Sequence, residues 1–76
     1  MKDIPVEYEY KGVHYRGVLS YVHGTGAHSW HLMVDNYYHG QLVYVSSRDT
    51  FQFSNQDGYQ MDLAEQFGRV VLAALG

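Results

Sequence analysis

Polar and apolar residues alternate from Ile4 to Tyr10, with Ile4, Val6, Tyr8 and Tyr10 on one side and Pro5, Glu7 and Glu9 on the other. That is the period of a half-buried strand, and Pro5 marks it as an edge strand. Lys11-Gly12 reads as a tight turn because glycine accepts positive φ freely, and alternation resumes from Val13 to Val22. A two-residue loop sets Tyr10 against Val13, Tyr8 against Tyr15, Val6 against Gly17 and Ile4 against Leu19 on one face. The same register sets Glu9 against His14 and Glu7 against Arg16 on the other. Both faces therefore favour one pairing, through apolar contact on one side and opposite charge on the other.

His23-Gly24-Thr25-Gly26-Ala27-His28 is rich in glycine and poor in apolar residues, so it reads as a flexible loop. A third strand follows over Ser29 to Val34, with Trp30, Leu32 and Val34 on one face. Asp35-Asn36 is good turn chemistry because both residues tolerate left-handed backbone, and Tyr37 to Val45 resumes as a fourth strand. A strict two-residue loop pairs Leu32 with His39. A three-residue loop, or a bulge near His39-Gly40, instead pairs Leu32 with Gly40, Trp30 with Leu42 and Val34 with Tyr38. The bulged register is expected, because it alone keeps Trp30, Leu32, Leu42 and Tyr44 on the core side. Ser46-Ser47-Arg48-Asp49 makes the next turn, and Thr50 to Ser54 a short fifth strand with Phe51 and Phe53 inward.

From Met61 the period changes. Ala64, Phe67, Gly68, Val71, Leu72 and Leu75 recur at spacings of three and four, opposite Asp62, Glu65, Gln66 and Arg69, as in an amphipathic helix. Leu63, Val70 and Ala74 flank the inner row and widen its apolar arc. Asp57 is expected to cap the helix with Gln60 reaching back, and Glu65 with Arg69 to form an i,i+4 pair. Gly68 on the inner face is explained most simply by a close approach of helix to sheet. The expected fold is thus α+β. One domain over 1–76 carries a five-stranded antiparallel meander (about 4–10, 13–22, 29–34, 37–45 and 50–54) packed on one C-terminal helix (about 58–75). A strongly coiled sheet approaching a small barrel is the alternative.

Composition narrows what this fold can do. A chain of 76 residues without cysteine has neither disulfides nor thiolate metal sites to hold it, so apolar burial and any oligomer interface must stabilise it. Eight tyrosines, three phenylalanines and one tryptophan supply that area, at about 150–250 Å² each. Tyr37 and Tyr59 are the tyrosines expected outside. The formal charge of -3 and the scatter of Lys2, Lys11, Arg16, Arg48 and Arg69 argue against duplex nucleic acid as a partner. No apolar run approaches membrane-spanning length, and the residues before Glu7 hold no apolar stretch of the secretory kind. A cytoplasmic location, without a membrane partner, is the expectation.

Five histidines are the most unusual feature, and His23, His28 and His31 crowd around one loop as candidate metal ligands. Imidazoles suit zinc, copper or nickel, but the set has no cysteine partners and no HExxH spacing. The bulged register would put His31 and His39 on the face away from the helix, with Arg16, Asp35 and Gln41 as neighbours. Together with Tyr37 these form the candidate binding face. No nucleophile elbow, triad order or phosphate loop occurs, and Ser29 beside His28 points to the opposite side of a strand.

The runs Tyr-Lys-Gly-Val-His-Tyr-Arg-Gly-Val-Leu at 10–19, Trp-His-Leu-Met-Val-Asp at 30–35 and Tyr-Tyr-His-Gly-Gln-Leu at 37–42 resemble a group of short uncharacterised bacterial proteins. The likeness consists of turn glycines and core aromatics, and it implies no activity, cofactor or site residue. The expected function is a small binding or interaction module that is not an enzyme and needs no cofactor. It would act on protein, itself included as a homo-oligomer, through the outer sheet face or the helix. The competing expectation is a small-ligand or metal site around His23, His28, His31 and His39, built on the histidine-rich loop and the outer sheet face.

Overall fold

The structure, a computed structural model, describes residues 3–23 and 28–75. Among the described residues, strands β1 (Ile4–Tyr10), β2 (Val13–Tyr21), β3 (Ser29–Val34), β4 (Tyr37–Val45), β5 (Thr50–Asn55) and β6 (Gly58–Tyr59) precede one helix, α1 (Met61–Leu75). Each strand pairs antiparallel with the next, giving one sheet in the order β1-β2-β3-β4-β5-β6 that curls into a half-barrel. No helix among the described residues is long and apolar enough to cross a membrane.

The β1–β2 hairpin has the register that its two faces demand, from Ile4 opposite Leu19 to Tyr10 opposite Val13, with Glu7 opposite Arg16. Lys11 and Gly12 close it with φ of 51° and 78°, the positive pair of a turn whose twist matches the strands. The β3–β4 hairpin is bulged. Trp30 faces Leu42 and Leu32 faces Gly40, but Val34 faces Tyr37 rather than Tyr38, because Asp35 and Asn36 (φ 53° and 69°) form a two-residue turn. The extra residue is His39, and the register shifts between Leu32 and Met33. Gly40 just after it has φ 150° and lies under Phe53, and a Cβ there would come within 2.8 Å of the Ser54 carbonyl oxygen. Only glycine suits that position.

Two expectations need correction at the end of the sheet. The described residues form six strands, not five, because Asn55 and Gly58 face each other around Gln56-Asp57 and start β6. For the same reason Asp57 does not cap the helix. Its N–H donates to Asn55 Oδ1 (2.9 Å), and its carboxylate accepts from Tyr10 Oη (2.7 Å) and Lys11 Nζ (2.9 Å). It clasps the β5–β6 turn to the β1–β2 turn. The helix starts later, where the Gln60 carbonyl accepts from the Ala64 N–H at 3.0 Å. The loop expected at residues 23–28 falls mostly on 24–27, outside the described residues.

The helix lies in the concave face and packs against β5, β1 and β4. Phe67 stands at the centre, edge-on to Tyr8 of β1 and Phe53 of β5, with ring centroids 5.2 Å and 5.1 Å away. Leu19, Leu32, Leu42 and Val71 complete a fully buried centre, and Tyr10, Tyr15, Tyr21 and Tyr44 pack half-buried around it. Gly68 meets the sheet as its inner-face position requires. A Cβ on it would lie 2.6 Å from Phe51 Cδ2.

Candidate functional site

The inner face of α1 is narrower than its sequence implies. Leu63, Ala64, Phe67, Gly68 and Val71 are buried, whereas Leu72 (60 % exposed) and Leu75 (54 %), expected in the inner row, face outward, as does Met61 (84 %) at the start of the helix. Helical spacing places Met61, Glu65, Gly68 and Leu72 along one stripe. The stripe forms one wall of a groove of about 970 Å³ between α1 and the last strands of the sheet. Trp30, Tyr44 and Phe51 also line it, and Tyr59, which is 74 % exposed, adds a further apolar side chain beside Met61.

The groove exists because β6 is too short to cover β5. Its two residues reach only Ser54 and Asn55, so Thr50 to Gln52 meet β4 on one edge and no strand on the other. Phe51 and Gln52 point to opposite faces of the sheet, yet both line the groove. The groove therefore wraps around the free edge of the strand. The Phe53 carbonyl is directed away from β4, since it accepts from the Gln60 N–H at 2.9 Å. Along an antiparallel strand alternate residues direct both backbone groups to the same edge, so the N–H and C=O of Phe51 also face outward.

The charged groups lining this groove are largely paired. Glu65 and Arg69, both exposed, form a loose i,i+4 pair at 3.4 Å. Tyr44 donates a short hydrogen bond to Asp49, which pushes the phenol pKa above its usual 10.0. Among the described residues, the buried Trp30 indole N–H and Ser29 hydroxyl at the start of β3 have no hydrogen-bond partner.

The candidate binding face on the convex side is less coherent than its sequence suggests. His31 and Gln41 do face each other across β3 and β4, with the His31 ring edge-on to Tyr38 at 5.0 Å. His39 does not join them. As the bulge residue it turns toward the core face, 6.0 Å from the half-buried ring of Tyr15. Arg16 is tied to Glu7 at 2.8 Å, with His14 on the same carboxylate oxygen at 3.6 Å, and the Arg16 guanidinium holds the Glu7 carboxyl below its ordinary range. Asp35 occupies the turn, and Tyr37, 73 % exposed, follows it.

The three proposed metal ligands are also divided. His28 Nδ1 lies 3.1 Å from Tyr21 Oη and His23 packs edge-on to the same ring at 4.9 Å, whereas His31 is on the opposite face of the sheet beside Tyr38. Among the described residues no three His, Asp or Glu side chains converge as a metal site. Sequence periodicity missed the groove because it reports how many apolar residues a helix carries, not how far the sheet extends to cover them. The available signal was the width of the apolar arc, too broad for one buried stripe.

No protein-family model, curated relative or solved structure matches this chain.

Proposed function

We propose that this protein is a small interaction module, without covalent chemistry of its own, that works through the groove between α1 and the free edge of β5. One observation carries the reading. Four large apolar side chains that the fold leaves uncovered, Tyr59, Met61, Leu72 and Leu75, all line one groove, beside unpaired backbone. Uncovered apolar groups gathered in one place mark interaction surfaces, whereas scattered ones do not. An exposed strand edge adds main-chain hydrogen bonds as a second source of affinity. The polar groups support binding over catalysis, because Asp49 and Glu65 are already engaged by Tyr44 and Arg69.

Leu72→Glu and Met61→Glu place charge in the groove at exposed positions, so both should leave the fold intact by circular dichroism. Each is expected to abolish the protein's capture of its partners, while His31→Ala and Gln41→Ala on the convex face leave capture unchanged. The reverse pattern would move the binding surface to the outer face of the sheet.

A further inference from the structure

We propose that the occupant of this groove is a second copy of the chain, docked about a two-fold axis beside Phe51 and Gly68, with β5 pairing to β5 and α1 antiparallel to α1. The proposal rests on the groove being the interaction surface and names its partner. Three features of the surface fit its own copy.

The free edge of β5 is one. Antiparallel self-pairing centred on Phe51 lets the outward N–H and C=O of that residue exchange two hydrogen bonds with Phe51 of the second copy. The ladder is short, because β6 blocks the edge at Ser54 and Asn55 and would abut the Ser46–Asp49 turn of the other copy. The opposite sheet edge is a poorer template, since β1 carries Pro5, which has no N–H to give.

The helix stripe is another. If two α1 helices run antiparallel and are centred at the level of Phe67, Met61 falls within one residue of Leu72 of the second copy and Glu65 meets its Arg69. Tyr59, just before the helix, comes level with its Leu75. Apolar groups fall on apolar groups and acid falls on base, twice each by symmetry. This charge complementarity selects a second copy over an unrelated apolar partner. The Glu65–Arg69 contact within one chain, 3.4 Å long and exposed at both ends, is loose enough to re-form across the axis.

The third is that one axis serves both layers. Phe51, the centre of the strand pairing, is the residue whose ring lies against Gly68, one residue from the centre of the helix pairing. A single rotation therefore matches strand to strand and helix to helix, covers the four exposed apolar side chains that line the groove and removes the free edge of β5.

Sedimentation of Glu65→Arg, Arg69→Glu and their equimolar mixture across the micromolar range tests this. The wild type is expected at twice the chain mass. Each variant alone, with two like charges facing two like charges, is expected at the monomer mass. The mixture, all-positive stripe against all-negative stripe, is expected to recover a one-to-one dimer. A monomeric wild type, or a mixture that stays monomeric, overturns the proposal. A monomeric wild type whose partner capture is still abolished by Leu72→Glu would overturn the self-pairing alone, and the groove would remain the interaction surface.

Discussion

At the scale of single residues, Asp57 is the most consequential departure from what the sequence suggests. Its place before a helical period, three residues ahead of Gln60, makes it look like a cap. It serves instead as the acceptor that joins the two turns, through Tyr10 Oη and Lys11 Nζ. Periodicity could not reveal this, because Tyr10 and Lys11 are 47 and 46 residues away. The hydrogen bond from Tyr10, followed by that from Lys11, holds the Asp57 carboxyl below its ordinary 3.8. A carboxyl depressed by folding adds stability that is fully present above its unfolded pKa and is lost as pH falls through the lower folded value. Asp57→Asn should therefore melt below the wild type at neutral pH, with the two melting temperatures converging in acid below 3.8. Parallel curves down to the lowest pH would show that the clasp contributes nothing through its charge.

Among the elements, the hairpins were legible and the end of the sheet was not. The β1–β2 register follows from two faces that agree, and the bulge at His39 follows from the need to keep Trp30, Leu32 and Leu42 together. Where alternation decides which face is buried, a one-residue slip costs the whole core, so the pattern specifies the pairing. A two-residue strand such as β6 carries no periodicity, and it was invisible for that reason. The close approach of α1 to the sheet was legible through Gly68, but not that β5 is the strand it meets there. Gly68→Leu would improve helix propensity by about 1 kcal/mol, but it must displace a Phe51 ring already packed against Trp30 and Tyr44. Overpacking of this kind costs about 1–3 kcal/mol. A net loss of up to about 2 kcal/mol would lower Tm by up to about 8–16 °C for a domain of this size. A raised Tm, the propensity gain without the overpacking, would mean that the helix does not approach the sheet at that residue.

The whole molecule is a half-barrel closed along one side by a clasp and filled by a helix centred on Phe67. That architecture explains why the candidate site lies on the concave rim and not on the convex face, where the unusual histidines drew attention. The sheet is wide enough to bury Leu63, Phe67 and Val71 but stops short of Met61, Leu72 and Leu75. A chain of 76 residues without cysteine has few other sources of stability, and covering this rim with a second copy would supply one. The measurement that tests this most directly is the set of backbone amide shifts of the labelled protein, recorded from dilute to concentrated solution. The account predicts concentration-dependent shifts at Phe51, at Tyr59, along the Met61, Glu65, Gly68 and Leu72 stripe and at the neighbouring Arg69, with Arg16, His31 and Gln41 unmoved. Shifts confined to the convex face, or none at any concentration, would contradict it.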